Sequence, residues 1–150
     1  RNHITELTLD SSVFLFPAIV TGNQDLGRAL YTFPANSAIE INSVVCKAGI
    51  NSPNNAGIGS TVVGVGSTLA SGNSATLATA TEVDMLVAGT PTTLDGVAVT
   101  RSGAPHVPFT GSVVAYLNLA GAAADWVVAD TAVAGSGSVI ISWTYLGTDA

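Results

Sequence analysis

The sequence predicts an all-β protein, a mainly antiparallel β-sandwich of roughly eight to ten short strands, and three observations carry that prediction. The closing stretch Val139-Ile140-Ile141-Ser142-Trp143-Thr144-Tyr145 puts Val139, Ile141, Trp143 and Tyr145 at a spacing of two, so an extended chain turns all four to one side. That apolar and aromatic face needs a second sheet to cover it. Clusters of Gly, Pro, Asn and Ser interrupt the chain at intervals of about 8–12 residues, the rhythm of short strands and turns. No long segment carries the 3.6-residue apolar period of helices, so no helical crossovers join parallel strands. With 150 residues, no internal repeat and no interdomain linker, residues 1–150 read as one domain.

The elements follow in order. Ile4 to Leu9 alternates as a strand, and Asp10-Ser11-Ser12 turns it. Val13 to Phe16 is bulky on both sides, and Pro17, which lacks an amide donor, marks an edge, a bend or a strand end. Val20 to Asp25 reads as a polar loop. Arg28 to Phe33 is the next strand, closed by a hairpin-like reversal at Pro34-Ala35-Asn36-Ser37, where proline fixes φ and Asn or Ser bonds the local backbone. From Ala38 to Lys47, Ile39, Ile41 and Val45 face one way while Glu40 and Asn42 face the other. Gly49 to Ser60 has too few large side chains to build an element and reads as a long loop.

Thr61 to Gly66 returns to strand character, and Ser67 to Ala75 is again small and polar. Ala75 to Ala88 is the one candidate for a helical turn, although its threonines disfavour helix. Pro91-Thr92-Thr93 is a turn, Asp95-Gly96 marks a tight reversal or bulge, and Arg101 to His106 reads as loop. Ser112 to Leu119 is a long strand with Val113, Ala115, Leu117 and Leu119 on one side, so it belongs in the middle of a sheet. Trp126 to Ala129 is a short strand, and Gly135-Ser136-Gly137 is the turn into the last one.

Composition bounds the function. Only 9% of residues are charged, against about 25% in an ordinary soluble domain. The exterior must therefore be built from Ser, Thr, Asn, Gly and Ala, and so smooth and nearly neutral a surface points to one covered by neighbouring protein. A free-standing β domain with a hydroxyl-rich coat is the plainer alternative. The net charge is -6, and Arg1, Arg28, Lys47 and Arg101 are scattered, so no phosphate-binding stripe exists and nucleic-acid contact is not expected. The widest charge-free spans are broken by Pro53, Pro105, Pro108 and several glycines, so no membrane-spanning helix is expected. No secretory signal opens the chain, which starts at Arg1 without a methionine, so a leading piece is expected to have been removed or to lie outside this sequence. Cys46 is alone, which forbids an internal disulfide and suits a small buried thiol.

No catalytic, cofactor-binding or metal-binding residue emerges, and an enzyme is not expected. His3 lies near a terminus and His106 lies between prolines, positions that suit a solvated or interface role rather than metal ligation. Glu82 and Asp84 would share one side of an extended segment, but a single pair lacks the six to eight oxygens that calcium takes. No Gly-x-Ser-x-Gly elbow occurs. Gly64-Val65-Gly66 lacks the third glycine and the helix start of a dinucleotide fingerprint, and reads as strand or bulge glycines. Tyr31, Trp126, Trp143 and Tyr145 suit either a sugar-stacking platform or a core, and regular alternation favours the core.

The order of Tyr31-Thr32-Phe33-Pro34-Ala35-Asn36-Ser37-Ala38-Ile39-Glu40-Ile41, then Val62-Val63-Gly64-Val65-Gly66, then the closing Gly135 to Trp143 resembles the auxiliary head proteins of tailed bacteriophages. These are small jelly-roll decoration, or cement, proteins. The resemblance covers roughly residues 28 to 147 and lies in the succession of strands and loops. It implies a jelly-roll sandwich that sits, commonly as a homotrimer, on the outer surface of a virion. There it would bind the major capsid protein lattice and stabilise the head. Loops 49–60 and 67–75 and the N-terminal segment are the expected contacts. The alternative function is a receptor- or glycan-binding β-sandwich, such as a virion fibre module or a lectin-like domain, and a third is another structural role in the virion shell or tail.

Overall fold

The computed structural model describes residues 1–51, 61–89, 99–103, 107–123, 128 and 133–148, with backbone alone for 51, 99–103 and 107. Nine strands form among them: β1 (Asn2–Leu9), β2 (Gln24–Thr32), β3 (Ser37–Asn51), β4 (Val62–Gly66), β5 (Leu86–Gly89), β6 (Val99–Gly103), β7 (Val107–Gly111), β8 (Val114–Gly121) and β9 (Ala134–Thr148). One sheet has the order β1-β9-β3-β6, with β7 also on β3, and the other has β2-β8-β4-β5. Every pairing is antiparallel. No helix occurs among the described residues. The pairs are nested along the chain, β1 with β9, β2 with β8, β3 with β7 and β6, and β4 with β5.

A single core of buried side chains joins the two layers. Val139, Ile141 and Trp143 lie at 0, 0 and 3% exposure on the inner side of β9, and Tyr145 is half-buried at its end. Opposite them stand Leu26, Val63, Val65, Ala115, Leu117 and Leu119 of the second sheet. The two layers lock where the Phe33 ring meets Trp143 edge-on at 5.2 Å between centroids. Burial of each such side chain is worth about 1.5–3 kcal/mol, so the period-two pattern specifies which face of each strand turns inward.

Several expectations are corrected. Pro34 to Ser37 is no hairpin. Ser37 Oγ donates to the Pro34 carbonyl at 2.6 Å and Asn36 adopts φ 53°, but the turn carries the chain from β2 in one sheet to β3 in the other. On β3, a register shift between Ile41 and Ser43 makes Asn42 a bulge, so Val44 rather than Val45 follows Ile39 and Ile41 into the core. Gly135 to Gly137 is no turn, because β9 begins at Ala134. Gly137 sits at φ 102° inside that strand, where a Cβ would run into the Lys47 carbonyl of β3. Arg101 to Gly103 belongs to β6 rather than to a loop, and Gln24 and Asp25 already belong to β2. β3 and β9 run for 15 residues each, longer than the short strands expected. The candidate helical turn is one isolated turn in which the Glu82 amide donates to the Ala78 carbonyl at 2.9 Å, after which β5 begins. Gly49 to Asn51 belong to β3 rather than to the expected loop, and the rest of that loop, the expected turn at 91–93, the reversal at Asp95-Gly96 and most of the 126–129 strand lie outside the described residues.

Candidate functional site

Residues 67–85 fold back over the outer face of the second sheet, and this excursion builds the site. Ala70, Leu77 and Val83 of the excursion pack with Ala120 of β8 in a small second core. Asn118 of β8 is the peg. It is fully buried, its Nδ2 donates to the Thr68 carbonyl at 2.9 Å and the Glu82 carbonyl at 2.8 Å, and its Oδ1 accepts from the Ala70 amide at 3.0 Å. Gly66 is a glycine for the same reason, since a Cβ there would collide with the Glu82 backbone. Close backbone approach therefore accounts for the glycines of Gly64-Val65-Gly66 better than any phosphate cradle.

The excursion and the segment before β2 enclose a cleft of about 250 Å³ lined by Pro17, Ala18, Val20, Leu26, Leu69 and Ala70, with Gln24, Asp25 and Ser71 as its polar members. Gln24 fixes one wall. Its Oε1 accepts from the amides of Val20 at 2.7 Å and Thr21 at 3.2 Å, and its Nε2 donates to the Ala18 carbonyl at 3.4 Å. The rim is apolar, with Val20 at 66% and Leu69 at 40% exposure. Asp25 stands in the wall at 4% exposure, and its Oδ1 accepts from the Ser74 amide at 3.0 Å.

A second surface is the outer face of β1, β9 and β3. Cross-strand register sets Asn2 beside Thr144, Ile4 beside Ser142 and Ser43, and Glu6 beside Ile140 and Val45. Asn42 Nδ2 donates to Thr144 Oγ1 at 2.9 Å and Thr144 Oγ1 donates to Asn2 Oδ1 at 2.8 Å, a side-chain ladder across three strands. Ile4 projects from this face at 76% exposure.

The residues singled out from sequence fall as follows. His3 stacks on Trp143, with centroids 4.3 Å apart and planes 18° apart, and the Trp143 indole N–H donates to Thr5 Oγ1 at 3.0 Å. The N-terminal segment is thus a paired strand rather than a frayed end. Tyr31 meets Phe33 edge-on at 5.0 Å, so Tyr31, Trp143 and Tyr145 all pack against the core rather than forming an open ring platform. Glu82 and Asp84 do not converge: Glu82 Oε2 accepts from the Ala78 amide, while Asp84 accepts from the Ser67 amide and hydroxyl at 2.7 and 2.6 Å. Cys46 is buried on the inner face of β3. His106 and Trp126 lie outside the described residues. No group of three His, Cys, Asp or Glu comes together among those described.

Asp25 and Asn118 were not marked by sequence reasoning as special. The available signal for Asn118 was an amide between Leu117 and Leu119 in a central strand, where the outward face was also going to be covered. Asp25 gave none, because only the folded excursion encloses it. The chain matches no family model, no curated protein and no solved structure. Fold and surface chemistry, an all-β sandwich with a pegged excursion and an outer sheet face of hydroxyls, amides and aliphatic side chains, are therefore what the functional reading stands on.

Proposed function

We propose that this protein is a structural component of a virion, a decoration or cement protein that binds the outer surface of an icosahedral phage head and stabilises it. The observation that carries this reading is the outer face of β1, β9 and β3. It carries rows of short hydroxyls and amides, and Ile4 and Ile140 lie in adjacent rows with Glu6, Glu40 and Lys47 as its charges. Ile4, at 76% exposure, and Ile140 and Val45 in the adjacent row make an aliphatic group that docking would bury. The Asn42–Thr144–Asn2 ladder holds its side chains in place beforehand, which lowers the ordering cost of docking. Contacts of this kind rest on area and shape, and many weak copies on a lattice act together.

The finer fold belongs to the same proposal. Nested antiparallel pairs are what a long ribbon has before it rolls into two layers, so the strand order supports a jelly roll, an architecture that recurs in viral shell proteins. Fold alone does not assign a role, so the reading rests on the surface. Its partner is the lattice of the major capsid protein and its own state is a homotrimer. The test is co-sedimentation with empty expanded heads of the phage that encodes it, using wild type and Ile4→Glu. Wild type is expected to saturate a fixed number of sites per head, and Ile4→Glu to lose binding at least ten-fold while melting normally. Wild type left in the supernatant, or a variant that binds as well, would overturn the proposal.

A further inference from the structure

We infer that the cleft between the 17–24 segment and the 69–72 turn is a binding site for an alkylammonium group, with Asp25 as its anionic partner. The inference stands independently of the virion reading. Asp25 is 4% exposed, and among the described residues its carboxylate takes one hydrogen bond, from the Ser74 amide to Oδ1. Oδ2 receives none and is not sealed from solvent, and Asp25 lines the cleft. A carboxylate with an unused oxygen in an otherwise apolar wall attracts a cation or donor that enters the cleft. Among the described residues no Lys or Arg lines the cleft to supply that cation.

The position of Gly72 points the same way. A Cβ there would lie 2.9 Å from Oδ1 and 3.3 Å from Oδ2, so any larger residue would crowd the carboxylate, and glycine leaves it room. The rest of the wall defines the ligand. Pro17, Ala18, Val20, Leu26 and Leu69 are aliphatic, and among the described lining residues no aromatic ring offers a sugar a platform, so they suit an unbranched hydrocarbon stem. With Oδ1 already engaged, Oδ2 offers a single contact. That suits the point charge of an ammonium better than the two-pronged fork of a guanidinium.

The chemistry has two sources, a free aliphatic amine or a lysine side chain on another polypeptide, and one titration separates them. Amide chemical shifts of the whole protein are followed on addition of n-butylammonium, n-butanol, the peptide acetyl-Gly-Lys-Gly-amide, and the same peptide with an Nε-acetylated lysine. The expected result is a saturable shift confined to Ala18, Val20, Leu69, Ala70 and Ser71 with butylammonium, and at least ten-fold weaker binding of butanol. Asp25→Asn, which keeps an Oδ1 acceptor for Ser74, should weaken butylammonium at least ten-fold. Gly72→Ala should do so with the carboxylate intact, the rest of each spectrum reporting that the variant is folded. Binding of the lysine peptide but not its acetylated form assigns a polypeptide lysine as the ligand; binding of butylammonium alone assigns a free amine. No saturable shift with either amine, equal binding of butanol, or shifts that survive in both variants would overturn the site.

Discussion

Asn118 Oδ1 accepts the amide hydrogen of Ala70 at 3.0 Å, and through that bond a strand in the middle of one sheet positions a cleft on its outside. Ala70 is a cleft-lining residue, and the same Asn118 side chain holds the carbonyls of Thr68 and Glu82. Sheet, excursion and cleft are therefore one mechanical unit. A fully buried amide satisfied three times over gives the 67–85 segment a single seat on the sheet.

Asn118→Ala should leave those three backbone groups without a partner in a site closed to water. The expected cost is about 3 kcal/mol, since each stranded group forfeits its bond and stays desolvated. For a chain of this size that lowers the melting temperature by roughly 6–12 °C. Calorimetry checks the cost. Limited proteolysis checks the location, because new cleavage should fall within 67–85 before the sheets open.

Phe33→Ala should be among the most damaging truncations. Phe33 is 1% exposed and touches both Tyr31 and Trp143, so its loss leaves a cavity where the two layers lock. The expected loss is about 3–5 kcal/mol by denaturant titration. A value under about 1 kcal/mol would mean that the layers do not meet there.

Gly137→Ala tests the long last strand. The residue has φ 102° and its missing side chain leaves room for the Lys47 carbonyl, so an added methyl meets both backbone strain and a collision with β3. Destabilisation of at least about 1–3 kcal/mol is expected. Were positions 135–137 a free turn, the change would be nearly silent.

Asp10 gives a pH signature. The Ser12 amide donates to its Oδ1 at 2.9 Å and the Ser12 hydroxyl at 2.7 Å, and these bonds hold the carboxyl below its ordinary value of 3.8. A lowered folded pKa means that the turn's stabilisation is complete above the unfolded value and is lost as pH falls through the folded one. Titration of the Asp10 side chain by NMR should show a midpoint below 3.8, and Ser12→Ala should move it back up.

How much of this was legible beforehand divides along physical lines. The core face of the last strand and of β8 was readable because a period of two, with Val, Ile, Leu and Trp on one side, has only one burial solution. The register on β3 was not, because the bulge at Asn42 shifts every later side chain by one and leaves no mark in an otherwise even alternation. Pro34-Ala35-Asn36-Ser37 has the chemistry of a tight reversal whether it joins neighbours in one sheet or crosses between two. Residues 67–75 read as a small, polar stretch and 75–88 as a candidate helical turn because their apolar side chains are few, yet Leu77, Val83 and Ala70 suffice to seat 67–85 once Asn118 anchors the backbone. The cleft was invisible for the same reason: Asp25, Gly72 and Leu69 are brought together by that anchor and not by any spacing in sequence.

The central claim is that the outer face of β1, β9 and β3 is covered by other protein subunits on a phage head. Hydroxyl-radical footprinting of the free chain and of the chain sedimented with heads measures it directly. The account predicts that Ile4, Val45 and Ile140 lose their reactivity on the head while Val20 and Leu69 at the cleft keep theirs. A chain that does not sediment with heads, or one in which Ile4 reacts as fast bound as free, would contradict it.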